Sequence, residues 1–159
     1  MVLDVVAIGN ANVDIVMYVD RIPREDEALE AYDSVISAGG SASNYAVALA
    51  RLGIRCGFIG RVGDDSFGEF VKREFEKERV DISRLKVDRE HPTGKVFIIV
   101  TKDGARRMIA HRGANAYITL DESDEEYISR AKLVHAASIR RKLALEIAKV
   151  SSKYKITFS

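Results

Sequence analysis

Two clusters of polar residues and glycines carry the side chains best suited to bind a polyhydroxylated small molecule. Asn12 and Asp14 follow an apolar run, and the pair Gly39-Gly40 precedes Asn44 by a few residues. A carboxylate and amides together offer both acceptors and donors to neighbouring hydroxyls, and paired glycines let a ligand approach backbone N–H groups closely. The same residue types also suit caps and tight turns, so the local pattern leaves a purely conformational interpretation open.

The sequence lacks the motifs of dinucleotide binding, of phosphate-loop NTPases and of metal binding. Residues 9–12 (GNAN) do not form the G-x-G-x-x-G of dinucleotide-binding proteins, and no G-x-x-x-x-G-K-[ST] phosphate loop occurs. His91, His111 and His135 lack the spacing of metal ligands. The single cysteine, Cys56, can build neither an internal disulfide nor a cysteine zinc site. We therefore predict no metal site and interpret Cys56 as a small core residue in a reducing compartment.

The elements that position the two clusters follow from the apolar runs. Val2–Gly9 is β-branched and almost continuously apolar, as expected of a strand buried on both faces of a parallel sheet. Further strands are predicted at Ile15–Val19, Ala31–Ile36, Arg55–Val62, Lys95–Thr101, Arg107–His111, Lys132–Ala136 and Tyr154–Phe158. Helical spacing predicts four helices: one capped by Ser41 or Ser43, one over Phe67–Glu78, one from about Asp124 and one over Arg140–Ser152.

Alternating strands and helices predict an α/β fold, with a parallel sheet and helices on both faces. Two β pairs interrupt the alternation, residues 15–19 with 31–36 and residues 95–101 with 107–111, and we expect them to form an antiparallel appendage. Residues 81–92 are largely polar and are interpreted as a connection. Ligands of open α/β sheets bind beyond the carboxyl ends of the strands, where both polar clusters are expected to lie.

Composition limits the classes of partner. The chain has 159 residues, 47% of them hydrophobic, with 25 Lys+Arg against 24 Asp+Glu and a formal net charge of +1. This balance is typical of one globular domain or part of a larger one, and it argues against a nucleic-acid or membrane-surface binder. No apolar run approaches the roughly 20 residues of a membrane span, and the start does not resemble a signal peptide. We expect a cytoplasmic protein.

Several motifs, in the right order and spacing, resemble those of the ribokinase/PfkB family of carbohydrate and nucleoside kinases. The resemblance covers almost the whole chain. It is carried by Asn12-Val13-Asp14, residues 38–53 (AGGSASNYAVALARLG), residues 60–65 (GRVGDD) with Gly68, Thr93-Gly94, and residues 112–116 (RGANA).

The resemblance implies a Rossmann-like core and a small β lid formed by residues 13–37 and 93–111, which would account for the two extra β pairs. In such kinases the lid closes over the sugar, and in several members it pairs two subunits, so a homodimer through the lid is expected. The motifs place a substrate site at Asn12, Asp14, Gly39, Gly40 and Asn44, with Thr93 and Asn115 on its rim.

One motif of the family is missing from this sequence. Kinases of this family use the Asp of a C-terminal D-T-x-G-A-G-D motif as base and the adjacent glycine N–H groups as an anion hole, and no such motif occurs among residues 1–159. We therefore expect residues 1–159 to be the N-terminal part of a kinase. The full-length enzyme would use ATP and Mg²⁺. This part would lack the nucleotide-binding half and the catalytic Asp, bind no cofactor and be inactive alone.

A second interpretation remains open from the sequence. The same fold could serve as a non-catalytic module that binds a sugar or dimerises through its lid. A redox nucleotide-binding domain is disfavoured because the glycine fingerprint is missing.

Overall fold

The computed structural model describes residues 3–159, which form two β-sheets and four α-helices. The strands are β1 (Val5–Gly9), β2 (Asn12–Val19), β3 (Asp33–Gly39), β4 (Cys56–Gly63), β5 (Asp81–Asp88), β6 (Gly94–Thr101), β7 (Arg106–His111), β8 (Leu133–Ala137) and β9 (Thr157–Phe158). The helices are α1 (Ser41–Arg51), α2 (Ser66–Lys77), α3 (Glu122–Ser129) and α4 (Arg141–Tyr154), with a 3-10 helix at Gly113–Tyr117.

The main sheet has the order β5-β4-β1-β8-β9, and all of its strand pairs are parallel. The central strand β1 is buried along its whole length, as its apolar sequence predicts. Val5 and Ala7 pack toward α1 and α2, whereas Val6 and Ile8 pack toward α3 and α4. The predicted α/β fold, with helices on both faces of a parallel sheet, is therefore confirmed.

The second sheet has four strands in the order β3-β2-β6-β7. The pairs β2–β3 and β6–β7 are antiparallel, as predicted, but β2 and β6 run parallel to each other. The expectation of an entirely antiparallel appendage is therefore wrong. The chain passes through β4, α2 and β5 before it reaches β6, and so long a crossover permits a parallel pair.

The segment predicted to be a polar connection, residues 81–92, contains the edge strand β5. Ile82 and Leu85 pack against the core, while Arg84 and Lys86 reach the buried carboxylate of Asp124 on α3 at 2.8 and 2.5 Å. The polar residues of the strand thus contact a neighbouring helix, and a polar pattern does not exclude a strand at a sheet edge.

Two helix ends also differ from prediction. Helix α1 is preceded by Gly40 and has no side-chain cap, so the cap expected from Ser41 or Ser43 is wrong. Tyr154 ends α4 and does not begin the last strand, which is confined to Thr157–Phe158. Of the predicted first strand, Val2 lies outside the described residues. Along residues 3–159, every helix is too short or too polar to cross a bilayer.

Candidate functional site

The junction of the two sheets places Asn12 and Asp14 on one face of β2. Strand β1 ends at Gly9, and after two connecting residues the chain enters β2 at Asn12. Because side chains alternate along a strand, Asn12 and Asp14 point to the same side. In the register of the sheet, Gly39 and Gly94 flank Asn12. The carboxyl end of β1 therefore leads directly into the polar pair, as ligand sites of open α/β sheets require.

The carboxylate of Asp14 lies over the backbone of Gly39. A Cβ atom added at Gly39 would stand only 2.5 Å from Cγ and 2.7 Å from Oδ1 of Asp14. The side chain of Asp14 is partly buried, and this burial raises its pKa. Within residues 3–159, no hydrogen bond satisfies this carboxylate. A desolvated carboxylate without an internal partner is well suited to accept hydrogen bonds from a ligand.

Asn12 presents the complementary donor. Its Oδ1 accepts a hydrogen bond of 2.8 Å from Nδ2 of Asn115. That contact orients the amide, so Nδ2 of Asn12 remains available to donate. Asn12 and Asp14 therefore offer a donor and two acceptors on one strand face, a combination that matches neighbouring hydroxyl groups.

Asn115 supports the start of β2 through hydrogen bonds to Ala11 and Asn12. Its Oδ1 accepts from the Ala11 N–H at 3.0 Å, and its Nδ2 donates to the Ala11 carbonyl at 3.1 Å as well as to Asn12. The residue is 5% exposed. Its polar atoms are thus engaged within the protein, and the geometry favours a supporting role over the predicted place on the substrate rim.

Thr93 is likewise engaged internally. Its side chain is fully buried, its hydroxyl donates to Asp65 at 2.6 Å, and the same hydroxyl accepts from the Gly63 N–H at 2.9 Å. The rim role expected for Thr93 is therefore not favoured by its surroundings. In the sequence, Asp65 stands out only as part of the GRVGDD motif of residues 60–65, and the pattern contains no signal for its contact with Thr93, 28 residues away.

Gly40 and Asn44 shape the start of α1. Gly40 has φ +107°, a conformation that side chains rarely adopt, and a Cβ there would lie 2.9 Å from the carbonyl carbon of Asn10. Because no side chain caps α1, the N–H groups of its first turn lack a side-chain acceptor. The N–H of Asn44 donates to the Gly40 carbonyl at 2.8 Å, and its side chain is exposed.

A cavity of about 780 Å³ lies between β3, α1 and α2, and its lining includes Asn44 and Ser37 but neither Asn12 nor Asp14. The structure therefore brings Asn12, Asp14 and Gly39 together at the sheet junction, with Gly40 next in the chain. Asn44 stands one helical turn after Gly40 and lines the cavity.

The fold defines a Rossmann-like α/β domain with a second, four-stranded sheet attached at the carboxyl ends of its strands. Residues 2–154 match the family model described as pfkB family carbohydrate kinase. The chain therefore belongs to the pfkB family of carbohydrate kinases.

The chain is similar to named relatives over nearly its whole length. It is 34% identical over 155 residues to an ATP-dependent ribose-1-phosphate kinase of Halopiger xanaduensis, a match that covers 98% of this chain and 52% of the relative. It is 30% identical over 158 residues to a ribokinase of Dictyostelium discoideum, covering 96% and 50% respectively.

Among solved structures, that of Arabidopsis thaliana ribokinase complexed with ribose and ATP superposes with a TM-score of 0.92 at 26% identity, covering 99% of this chain and 53% of the other. The chain thus spans about half the length of the curated relatives that it matches. The predicted resemblance to this family is confirmed.

Proposed function

We propose that this chain forms the acceptor-binding part of an ATP-dependent kinase that phosphorylates a hydroxyl group of a sugar or nucleoside. The observation that carries the proposal is the partly buried carboxylate of Asp14, which has no hydrogen-bond partner among residues 3–159, beside the oriented amide of Asn12. Membership of the pfkB family and similarity to a ribose-1-phosphate kinase and a ribokinase support it.

Each site residue has a distinct role in this proposal. Asp14 accepts hydrogen bonds from two substrate hydroxyls or holds one of them through both oxygens. Asn12 donates through Nδ2, while Gly39 and Gly40 let the substrate reach the backbone, and Asn44 borders the site from the first turn of α1. Hydrogen bonds to a charged group are worth about 1.5–3 kcal/mol each, so Asp14 supplies the largest single contribution.

The four-stranded sheet would serve as the lid over this site, with residues 13–37 and 93–111 as its extent. Lid closure over a bound sugar would exclude water from the acceptor hydroxyl, which strengthens electrostatic interactions there. The face that carries Asp14 continues into an apolar row formed by Val35, Val16, Ile98 and Met108.

Val35 and Met108 are 44% and 57% exposed. We therefore propose that this row also pairs with a second copy of the chain. Light scattering of a Met108→Asp variant is expected to show a shift toward monomer.

We propose that the phosphoryl donor binds to residues other than 3–159. The D-T-x-G-A-G-D motif is absent from residues 1–159, and no group of three or more His, Cys, Asp or Glu in the described part of the chain could hold a metal ion. We propose that phosphoryl transfer requires further residues and that the present ones bind and orient the acceptor.

The relatives named above suggest ribose and ribose 1-phosphate as the first acceptors to test, with other sugars and nucleosides beside them. The full-length gene product is incubated with ATP and each acceptor, and ADP release is measured. The proposal expects ATP turnover that depends on one acceptor and is strongly reduced by Asp14→Ala. Acceptor binding without turnover would favour the non-catalytic sugar-binding module, and neither binding nor turnover would contradict both.

A further inference from the structure

The five residues that connect β5 to β6, residues 89–93, are held on two sides by hydrogen bonds. On the side of the main sheet, the Thr93 N–H donates to Oδ2 of Asp65 at 2.8 Å, and the Thr93 hydroxyl donates to Oδ1 at 2.6 Å. On the other side, the Ala114 N–H donates to the Pro92 carbonyl at 2.8 Å. The start of β6 is therefore a fixed joint between the two sheets.

Asp65 carries more hydrogen bonds than a helix cap requires. As the N-cap of α2 it accepts one bond of 2.8 Å from the Gly68 N–H. The same carboxylate accepts two further bonds from Thr93. Burial alone would raise the pKa of Asp65, but the bonds from Thr93 and Gly68 outweigh burial and lower it. One ionised side chain thus ties the start of α2 to the start of β6.

Glycines let these elements approach each other closely. A Cβ at Gly63 would lie 2.5 Å from the Thr93 nitrogen and 2.8 Å from the His91 carbonyl oxygen. A Cβ at Gly68 would lie 3.1 Å from the Thr93 hydroxyl. Little free space remains around Thr93, so its position depends on the atoms that contact it.

The joint leads directly to the proposed acceptor site. Gly94 follows Thr93 and is the partner of Asn12 in the β2–β6 register. A Cβ at Gly94 would lie 2.6 Å from Oδ1 of Asn12 and would also overlap Nδ2 of Asn115. A displacement of Thr93 would therefore be transmitted to the amide of Asn12 through a single backbone residue.

We infer that Asp65 is a positioning residue for the acceptor site: through Thr93 and Gly94 it fixes where Asn12 stands relative to the main sheet. Asp65 itself lies outside the proposed substrate contacts. The inference rests on the proposed function for its kinetic consequence, whereas its structural consequence can be measured without any substrate.

The test compares Asp65→Asn, Thr93→Val and Thr93→Ser in the full-length gene product. Asp65→Asn and Thr93→Val each remove part of a charge-assisted contact, so the KM for the acceptor should rise about tenfold or more. The KM for ATP and kcat should stay within about twofold of the wild-type values, a split that a general loss of stability does not produce. Thr93→Ser restores the hydroxyl and should return the acceptor KM toward the wild-type value.

Asp121 provides a matched control, because it is also an N-cap aspartate but contacts α3 and β5 instead of the joint. Asp121→Asn should lower thermal stability and leave the acceptor KM unchanged. Hydrogen exchange adds a substrate-free measurement: Asp65→Asn should accelerate exchange of the Ala11 amide, which is bonded to Asn115, and Asp121→Asn should not.

An unchanged acceptor KM together with unchanged exchange at Ala11 in Asp65→Asn would overturn the inference and leave Asp65 as a helix cap alone. If the wild-type protein phosphorylates no acceptor, the proposed function fails, and exchange at Ala11 then decides the inference by itself. If Asp65→Asn does not fold, Thr93→Val decides by the same two measurements.

Discussion

Replacing Gly39 by alanine should weaken substrate binding without destabilising the fold. In Gly39→Ala the new Cβ would overlap the Asp14 carboxylate, with Cγ at 2.5 Å and Oδ1 at 2.7 Å. These atoms are the far end of a side chain that has no internal hydrogen bond among residues 3–159. The carboxylate is therefore expected to swing away while the backbone of β2 and β3 stays in place.

The two expected effects have opposite directions. A displaced Asp14 loses hydrogen bonds to the acceptor worth about 1.5–3 kcal/mol, which corresponds to an affinity loss of about tenfold to 150-fold. Replacing glycine by alanine reduces the entropy of the unfolded chain and stabilises by about 0.4–1 kcal/mol where the conformation allows it. Gly39 has no positive φ, so alanine is compatible with its backbone conformation. The free energy of unfolding of the variant should therefore lie within about 1 kcal/mol of the wild-type value, or above it.

Calorimetric titration of the acceptor and urea denaturation measure the two effects on the same protein. A double-mutant cycle with Asp14→Ala isolates the cause, because Gly39→Ala should cost less than about 0.5 kcal/mol of affinity once the carboxylate is gone. Gly53→Ala is the matched control. Gly53 has φ +80° with open space around it, so the substitution should cost stability and no affinity.

Unchanged affinity in Gly39→Ala would refute the reasoning, since it would mean that the substrate does not use the carboxylate where the structure places it. Additive losses in the double-mutant cycle would also count against it, because Gly39 would then act independently of Asp14.

Two further predictions concern the same edge of the sheet. Burial raises the pKa of Asp14, so the protonated form stabilises the fold at low pH and that contribution is lost as pH rises through the folded pKa. Asp14→Asn should therefore raise the free energy of unfolding at pH 7, and the gain should shrink as pH falls through the raised pKa toward the ordinary aspartate value, as urea denaturation at several pH values would show; a gain that grows in acid would contradict this. Asn115→Ala should lower the free energy of unfolding by about 2–4 kcal/mol, since the buried N–H and C=O of Ala11 lose their partner. A loss below about 0.5 kcal/mol in the same denaturation experiment would argue against that role.

The architecture could be predicted where apolar runs are long and continuous. The strand that became β1 is buried on both faces, and its uninterrupted run of apolar residues indicates this directly. Strand β5 was not predicted because it lies at a sheet edge and is not a continuous apolar run. Arg84 and Lys86 lie within it and pair with Asp124. The parallel pairing of β2 with β6 has no local signal, since the paired residues lie about 80 positions apart.

The candidate site, like the fold, was predicted only in part. Asn12, Asp14 and the glycine pair stand out by residue type and by the resemblance of their motifs. The supporting contacts of Asn115 span 103 and 104 residues and depend on the fold that brings them together. The cap predicted at Ser41 or Ser43 was wrong because the chain enters α1 through Gly40 at φ +107°, where no serine side chain serves as the N-cap.

A crystal structure of the full-length gene product with the acceptor that supports the highest ATP turnover tests the central claim most directly. The account predicts acceptor hydroxyls within about 2.6–3.2 Å of the Asp14 carboxylate and of Nδ2 of Asn12, with the sugar against the backbone of Gly39-Gly40. An acceptor bound elsewhere, with Asp14 and Asn12 facing only water, would contradict it.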